Sequence, residues 1–169
     1  MISFFLILIM LSSWGIKPKG ALIIFLLTIT ASFSTYYRRY IKFTLGFETV
    51  TFATVIATVA YGPTVGIAVG LVSAFAAEFI PQMIDPSSFL WIFSYVLVAL
   101  ATWFLHGWGV PVFWLGMVAS FIQNAVAEPI RIFSGDDYLR GMGIFSVVGS
   151  TMWNILLFSV LAGPVLSIV

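Results

Sequence analysis

The most constraining feature of this sequence is a series of long apolar runs that are separated by short polar or turn-forming breaks. The runs cover about residues 2–14, 20–37, 47–61, 63–80, 88–105, 110–127 and 143–167. Only 8% of the residues are charged, which is too few to cover a surface that faces water. In lipid every backbone polar group has to be satisfied within the chain, so such runs form helices. The sequence therefore predicts an all-α integral membrane protein.

The length of each run decides whether it can cross a bilayer. A membrane-spanning helix needs roughly 20 predominantly apolar residues, and the last six runs reach or approach that length. We therefore predict a single domain, residues 1–169, built as a bundle of six transmembrane helices. The first run, 2–14, is expected to form a short additional apolar helix. Because Lys17 and Lys19 follow this run and no basic residue precedes it, we interpret it as retained rather than cleaved as a signal peptide.

A tight helical hairpin is predicted around the sequence YGPTVGIAVGLVSAFAAE. Gly62 permits a sharp reversal of the chain, and Pro63 suits the first turn of the helix that follows. Small residues then recur every four positions, at Gly66, Gly70 and Ala74. Such a row allows another backbone to approach closely. We predict that it packs inside the bundle, with a contact between subunits as the alternative.

The charged residues are divided unequally between the two ends of the predicted bundle. If the six long runs cross in succession, one end holds Lys17, Lys19 and His106, and the other end holds most of the charges. The crowded end has Arg38, Arg39, Lys42, Glu48, Glu78, Asp85, Glu128, Arg131, Asp136, Asp137 and Arg140. This end has more Arg and Lys residues than the other end, and by the positive-inside tendency this favours a cytoplasmic location for it. The alternative is a water-accessible pocket that recognises a polar solute.

Five polar residues at the crowded end are candidates for substrate binding: Glu48, Glu78, Asn124, Glu128 and Arg131. A carboxylate near the end of an apolar helix, such as Glu78, usually marks a pathway, a site or an ion pair. Asn124 and Glu128 are four residues apart and so share a helical face, with Gln123 beside them. These side chains can surround a pocket at the mouth of the bundle, or they can form a Glu–Arg network that ties helix ends together.

Simpler roles compete for some of the polar residues. Glu48 starts a helix, where a negative charge interacts favourably with the helix dipole. Asn154 lies deep within an apolar run and is expected to form an interhelical hydrogen bond. His106, between Trp103 and Trp108, is expected at the membrane interface.

Motifs for catalysis and for cofactor binding are absent from the sequence. It has no Cys, no G-x-x-x-x-G-K-[ST] phosphate loop, no His-Glu-x-x-His zinc motif and no nucleophile elbow. The consecutive Asp136 and Asp137 are interpreted as a solvated turn. The net charge of +1 gives no reason to expect nucleic acid as a partner. We therefore expect neither an enzyme nor a metal or cofactor site.

The segment IKFTLGFETVTFATVIATVAYGPTVGIAVGLVSAF, residues 41–75, resembles two helices of a known transporter family. In its amphipathic lead-in, its GPxxG hairpin and the glycine that follows, it is similar to the second and third helices of the substrate-binding (S) component of energy-coupling factor vitamin transporters. It also resembles, less closely, the small membrane protein MreD of the bacterial cell-shape machinery, which has a related fold. The resemblance covers about a fifth of the chain.

The resemblance to the S component implies a six-helix bundle that captures a vitamin or a metal in a pocket on the outer side. Such components pair with a transmembrane scaffold subunit and two ATPases, which drive release of the solute. By this resemblance Gly62, Pro63, Gly66 and Gly70 are structural, and the loop from Arg38 to Glu48 helps to close the pocket.

We therefore expect a membrane-embedded solute-capture component of an energy-coupling-factor-like uptake transporter, located in the cell membrane. Its solute would be small and polar, with anionic and vitamin-like molecules as candidates, and would bind at one membrane face. The alternative is a structural subunit that transports nothing and organises a membrane complex, MreD-like or otherwise. Its partners would then be other proteins of that complex.

Overall fold

The computed structural model describes residues 18–82, 84 and 86–169, and this part of the chain contains helices and no strand. The apolar run at 2–14 lies outside the described residues. The helices are α1 (Pro18–Phe33), α2 (Arg38–Ile41), α3 (Val50–Tyr61), α4 (Pro63–Phe79), α5 (Pro86–Gly107), α6 (Val112–Ala127), α7 (Pro129–Ile132), α8 (Asp137–Val160) and α9 (Ala162–Leu166). The prediction of an all-α chain is confirmed for these residues.

Each of the six long apolar runs contains one main helix, but the boundaries differ where polar side chains act on the backbone. α8 begins well before its apolar run because the Asp136 carboxylate accepts hydrogen bonds from the amides of Tyr138 (2.8 Å) and Leu139 (3.4 Å). This is a helix N-cap, which satisfies amides that have no partner within the helix. In the run at 47–61, in contrast, the helix begins only at Val50, and residues 47–49 belong to the preceding loop.

Three segments of the described chain are long and apolar enough to cross a membrane: Pro18–Ile41, Ser87–Gly107 and Asp137–Val160. The helices α3, α4 and α6 are shorter, with 12, 17 and 16 residues. At roughly 1.5 Å per residue, α3 is about 18 Å long, whereas a typical hydrocarbon core is about 30 Å thick. Helix length and composition therefore support a membrane protein with three candidate spans, which is fewer than the six that the apolar runs predict.

The short helix α3 lies at the centre of the bundle. It packs against α1, α4, α5, α6 and α8, and every residue from Val50 to Thr58 is buried. Its buried hydroxyls at Thr54 and Thr58 donate to backbone carbonyls one turn earlier, at 2.8 Å and 2.7 Å. These two hydroxyls therefore lie inside the bundle, towards Gly66 and Gly70 of α4, without leaving an unpaired donor in the interior.

The hairpin between α3 and α4 places the row of small residues inside the bundle. Gly62 has φ +88° and Pro63 is the first residue of α4. A Cβ atom at Gly66 would lie 1.9 Å from the Thr58 hydroxyl oxygen, and one at Gly70 would lie 2.9 Å from Tyr95 Cβ. α4 is thus close enough to α3 and α5 that glycine is the only residue that fits at these two positions without movement of a neighbour.

The loop at 42–49 covers one end of the bundle and lies directly on α8. Gly46 has φ +76°, and a Cβ atom there would lie 2.3 Å from the Ser150 amide nitrogen. A Cβ atom at Gly149 would lie 1.8 Å from the Leu45 carbonyl oxygen. Two glycines facing each other therefore allow the loop backbone to touch the helix backbone.

Candidate functional site

A small polar cavity lies under the 42–49 loop, at the end of the bundle where the charged residues collect. Its volume of about 20 Å³ is enough for roughly one water molecule. Five buried ionisable side chains border it: Arg38, Glu48, Glu78, Glu128 and Arg131. They belong to α2, the 42–49 loop, α4 and the α6–α7 junction, so segments that are distant in the chain bring charge to one place inside the protein.

The first ion pair joins α2 to α4. Arg38 donates to Glu78 Oε1, and the two side chains are 4% and 3% exposed. The second carboxylate oxygen of Glu78 accepts a hydrogen bond from the Ser88 hydroxyl of α5 at 2.5 Å. Glu78 therefore connects three segments of the fold, and its charge is matched by the guanidinium of Arg38 despite its burial.

The second ion pair is local in sequence but equally buried. Arg131 Nη1 lies 3.3 Å and 3.4 Å from the two carboxylate oxygens of Glu128. Ser146, on α8, donates a shorter hydrogen bond of 2.7 Å to Glu128 Oε1. Pro129 suits the first position of α7, so α6 ends and the chain turns between the two partners. The pair thus links the α6–α7 turn to α8.

Glu48 is the third carboxylate and differs from the other two. One oxygen, Oε2, accepts from the Thr51 amide at 2.9 Å and so caps α3. The other oxygen, Oε1, is buried and has no well-aligned hydrogen-bond donor within the described part of the chain, although the Thr51 and Asn154 side chains lie beside the carboxylate. Burial raises the pKa of the Glu48 carboxyl above its ordinary value, and hydrogen bonding from Thr51 and Asn154 opposes the shift.

Asparagine and glutamine side chains surround the cavity without all facing it. Gln123 borders the cavity, whereas the Asn124 amide exchanges hydrogen bonds of 2.9 Å and 3.1 Å with the Ser150 hydroxyl, which itself borders the cavity. Asn154 Nδ2 donates to the Ser150 carbonyl at 2.9 Å and, across to α6, to the Ser120 hydroxyl at 3.4 Å. The interhelical bond expected of Asn154 is therefore present.

The structure brings together four of the five residues that the sequence suggested for substrate binding. Glu48, Glu78, Glu128 and Arg131 border the cavity. Asn124 lies one hydrogen bond behind it, against Ser150. The structure shows where these residues lie, and their role in substrate binding stays a prediction.

One residue of the cavity, Arg38, and one beside it, Tyr95, were not singled out from the sequence as binding residues. Arg38 was placed in the charged end of the bundle and in the loop expected to close the pocket, and the structure shows that it is buried while its neighbour Arg39 is exposed. The buried acid Glu78, which needs a cationic partner, was the signal that pointed to an arginine. Tyr95 is fully buried beside Glu48. One indication of this was present in the sequence, namely that a tyrosine within an apolar helix needs a partner for its hydroxyl group.

Polar residues outside the cavity have ordinary structural roles. Asp136 caps α8, and Asp137 forms an exposed ion pair with Arg140 at 3.2 Å. His106 is exposed near the end of α5. Within the residues that the structure describes, no group of three or more His, Cys, Asp or Glu side chains is arranged to hold a metal ion.

Comparison of this chain with protein-family models, with curated proteins and with solved structures finds no match. The resemblance to S components and to MreD therefore stays a prediction from the residues at 41–75.

Proposed function

We propose that this chain is a membrane-embedded solute-capture protein whose binding site is the charged cavity under the 42–49 loop. The observation that carries the proposal is that Arg38, Glu48, Glu78, Glu128 and Arg131 are all buried around one cavity. Ionisable groups within a membrane protein are unfavourable to bury and are mostly retained for a pathway or a binding site. The S-component resemblance proposes the same role on other grounds.

The proposed topology is a bundle of six crossings in the cell membrane, made by α1, α3, α4, α5, α6 and α8. The order of the connections along the chain supports this topology. The residues of the cavity lie at one end of these helices, whereas the Gly62-Pro63 turn and His106 lie at the other end. α3 is short, but the surrounding helices shield it from lipid. A helix in that position does not need to match the hydrocarbon thickness by itself.

The size and charge of the cavity restrict the solute. The volume of about 20 Å³ is smaller than any vitamin, so capture of a larger solute requires the 42–49 loop to move away from α8. The described residues around the cavity include three carboxylates and two guanidinium groups. This surplus of negative charge favours a neutral or cationic solute over the anionic one considered from the sequence.

A solute panel can test the proposal on the purified full-length protein in detergent. Thermal unfolding would be followed with water-soluble vitamins, amino acids and organic amines, because a ligand that binds the folded state raises the unfolding midpoint. We expect a solute that stabilises the wild type to lose its effect in Glu128→Gln. The matched control is Asp137→Asn, which changes an exposed acid outside the cavity. A solute effect that survives Glu128→Gln unchanged would place binding elsewhere.

The second candidate function is a structural subunit that organises a membrane complex. It is favoured by one observation: four of the five buried charges around the cavity already form two ion pairs, which together with Ser88 and Ser146 join α2, α4, α5, α7 and α8. Native purification separates the two candidates. Co-purified ATPases with a transmembrane scaffold subunit would support solute uptake, whereas filament-forming or cell-shape proteins without ATPases would support the structural role.

A further inference from the structure

We propose that Gln123 and Thr44 recognise the solute of the cavity, and that the solute offers them an uncharged group that both donates and accepts hydrogen bonds. A primary amide or a hydroxyl is such a group. This inference rests on the proposed capture function and adds to it two specificity-determining residues and a class of solute. Neither residue is among the five that the sequence suggested for substrate binding.

The two residues border the cavity from different parts of the fold. Thr44 lies in the 42–49 loop, which covers the cavity, and Gln123 lies on α6. Their exposed fractions are 8% and 2%, so both are shielded from bulk solvent. The cavity volume of about 20 Å³ accommodates roughly one small polar group. A group bound there is therefore shared by the side chains that border the cavity.

Both residues have hydrogen-bonding capacity that the fold does not use. The oxygens Gln123 Oε1 and Thr44 Oγ1 are buried, and neither has a hydrogen-bond partner within the part of the chain that the structure describes. Buried polar atoms are nearly always satisfied. By contrast, the hydroxyls of Ser146 and Ser150, which also border the cavity, donate to Glu128 and Asn124. Gln123 and Thr44 therefore remain available for a solute.

The chemistry of these two side chains restricts the group that they can bind. The carbonyl oxygen of Gln123 only accepts hydrogen bonds, whereas the hydroxyl of Thr44 both donates and accepts. A carboxylate on the solute has no hydrogen to donate and would leave Gln123 Oε1 unsatisfied. An amide, a hydroxyl or an ammonium group can donate to Gln123, so charge has to decide among these three.

Charge balance favours the uncharged groups over ammonium. The pairs Arg38–Glu78 and Arg131–Glu128 each combine one positive and one negative charge. Glu48 lies outside these pairs, and burial raises the pKa of its carboxyl, which favours the uncharged acid. With Glu48 uncharged, the cavity has no surplus of negative charge to compensate the loss of hydration of an ammonium group.

The first part of the test needs no solute and uses the purified full-length protein in detergent. Thr44→Val and Gln123→Met replace each polar side chain by an apolar one of similar size. Both variants should have a thermal unfolding midpoint at or above that of the wild type, because no internal hydrogen bond is lost. A midpoint lowered as far as that of Ser146→Ala would overturn the proposal, because the side chain would then hold an internal hydrogen bond or a structural water.

The second part compares three small probes at neutral pH: acetamide, acetate and ethylammonium, which are of similar size and differ in charge. Acetamide should raise the unfolding midpoint of the wild type, and the two charged probes should not. Thr44→Val and Gln123→Met should each lower the affinity for acetamide by about fivefold, the effect of one neutral hydrogen bond. Thr44→Ser, which keeps the hydroxyl, and the exposed control Asp137→Asn should retain the wild-type affinity.

Each contrary outcome has a definite meaning. Stabilisation by acetate or ethylammonium in place of acetamide, or by none of the three probes, would overturn the assignment of an uncharged solute. An acetamide effect that is equal in the wild type, Thr44→Val and Gln123→Met would overturn the role of the two residues. The proposed function fails separately, if no solute of the wider panel depends on Glu128. A solute that depends on Glu128 but not on Gln123 or Thr44 would contradict only the present inference.

Discussion

The two ends of this helical bundle are held together in different ways. At the cavity end, helices and loops are joined by buried ion pairs and side-chain hydrogen bonds, with Glu78 linked to both Arg38 and Ser88. At the opposite end, the contacts are close packing and backbone geometry. The Gly62 turn joins α3 to α4, and the Tyr61 hydroxyl donates to the Val169 carbonyl at 3.1 Å.

The comparison teaches that helices of this bundle can be joined closely without charged residues. Apolar packing with closely fitting glycines joins α3 and α4 at one end without any ion pair among the described residues. Replacing a buried ion pair by apolar side chains is often neutral or stabilising. Stability alone therefore does not explain the buried charges at the cavity end, which supports the proposal that this end binds a solute.

The largest expected effect comes from breaking the Arg38–Glu78 pair. Arg38→Leu leaves the Glu78 carboxylate buried without its guanidinium partner, which should reduce the free energy of unfolding by about 3–5 kcal/mol. The measurement is equilibrium unfolding in detergent micelles. Arg39→Leu is the matched control, because this neighbouring arginine is exposed. Similar unfolding curves for the two variants would show that the pair is not the link that we describe.

A packing substitution at the other end should have the next largest effect. Gly66→Ala puts a Cβ atom against Thr58, and overpacking of this kind reduces stability by about 1–3 kcal/mol. Gly141→Ala is the control, since no atom lies within 4 Å of a Cβ at that helical position. The control should be neutral or slightly stabilised, because alanine favours helix more than glycine does. The loss in Gly66→Ala should not change with salt, unlike an effect that depends on charge.

Removing one hydrogen bond to a buried carboxylate should have a smaller effect. Ser146→Ala deletes the donor to Glu128 Oε1 and should reduce the free energy of unfolding by about 1–2 kcal/mol. Ser159→Ala is the comparison, because that exposed hydroxyl donates only to carbonyls of its own helix. If both serines proved equally dispensable, Ser146 would not stabilise the charge of Glu128.

The smallest effect is expected at the exposed ion pair. Arg140→Ala removes the contact with Asp137, and exposed pairs contribute at most about 1 kcal/mol. The difference from the wild type, measured by the same unfolding experiment, should shrink further as salt is added. If Arg140→Ala reduced the free energy of unfolding as much as Arg38→Leu does, burial would not explain the difference between the buried and the exposed ion pair.

Several features of the fold and site were predictable because their causes are local. The Gly62-Pro63 turn follows from residues that determine their own backbone angles. The expectation that Glu78 has a partner follows from the unfavourable burial of a carboxylate. The number of crossings was harder to predict, because an apolar run includes loop residues such as Phe47, which lies in no helix and is 45% exposed. Hydropathy identifies residues that avoid water, and it does not distinguish a helix that faces lipid from a helix or loop that packs against protein.

The shared helical face of Asn124 and Glu128 was predictable in the same way. Glu128 keeps helical backbone angles at the end of α6, and its amide donates to the Asn124 carbonyl at 3.0 Å. Both side chains meet α8, Asn124 at Ser150 and Glu128 at Ser146. The four-residue spacing therefore places both residues on the face of α6 that packs against α8.

What the sequence determined by itself was the helical character, the membrane-protein composition, the α3–α4 hairpin and the concentration of charge among certain breaks between helices. These features depend on hydropathy and on residues near each other in the chain. Only the tertiary structure decided which of two adjacent arginines is buried, which acid it pairs with and which acid of the cavity lies outside the ion pairs of the described residues. Those choices depend on how α2, α4 and the 42–49 loop meet in space, and an interaction between residues 40 positions apart has no periodic trace in the sequence.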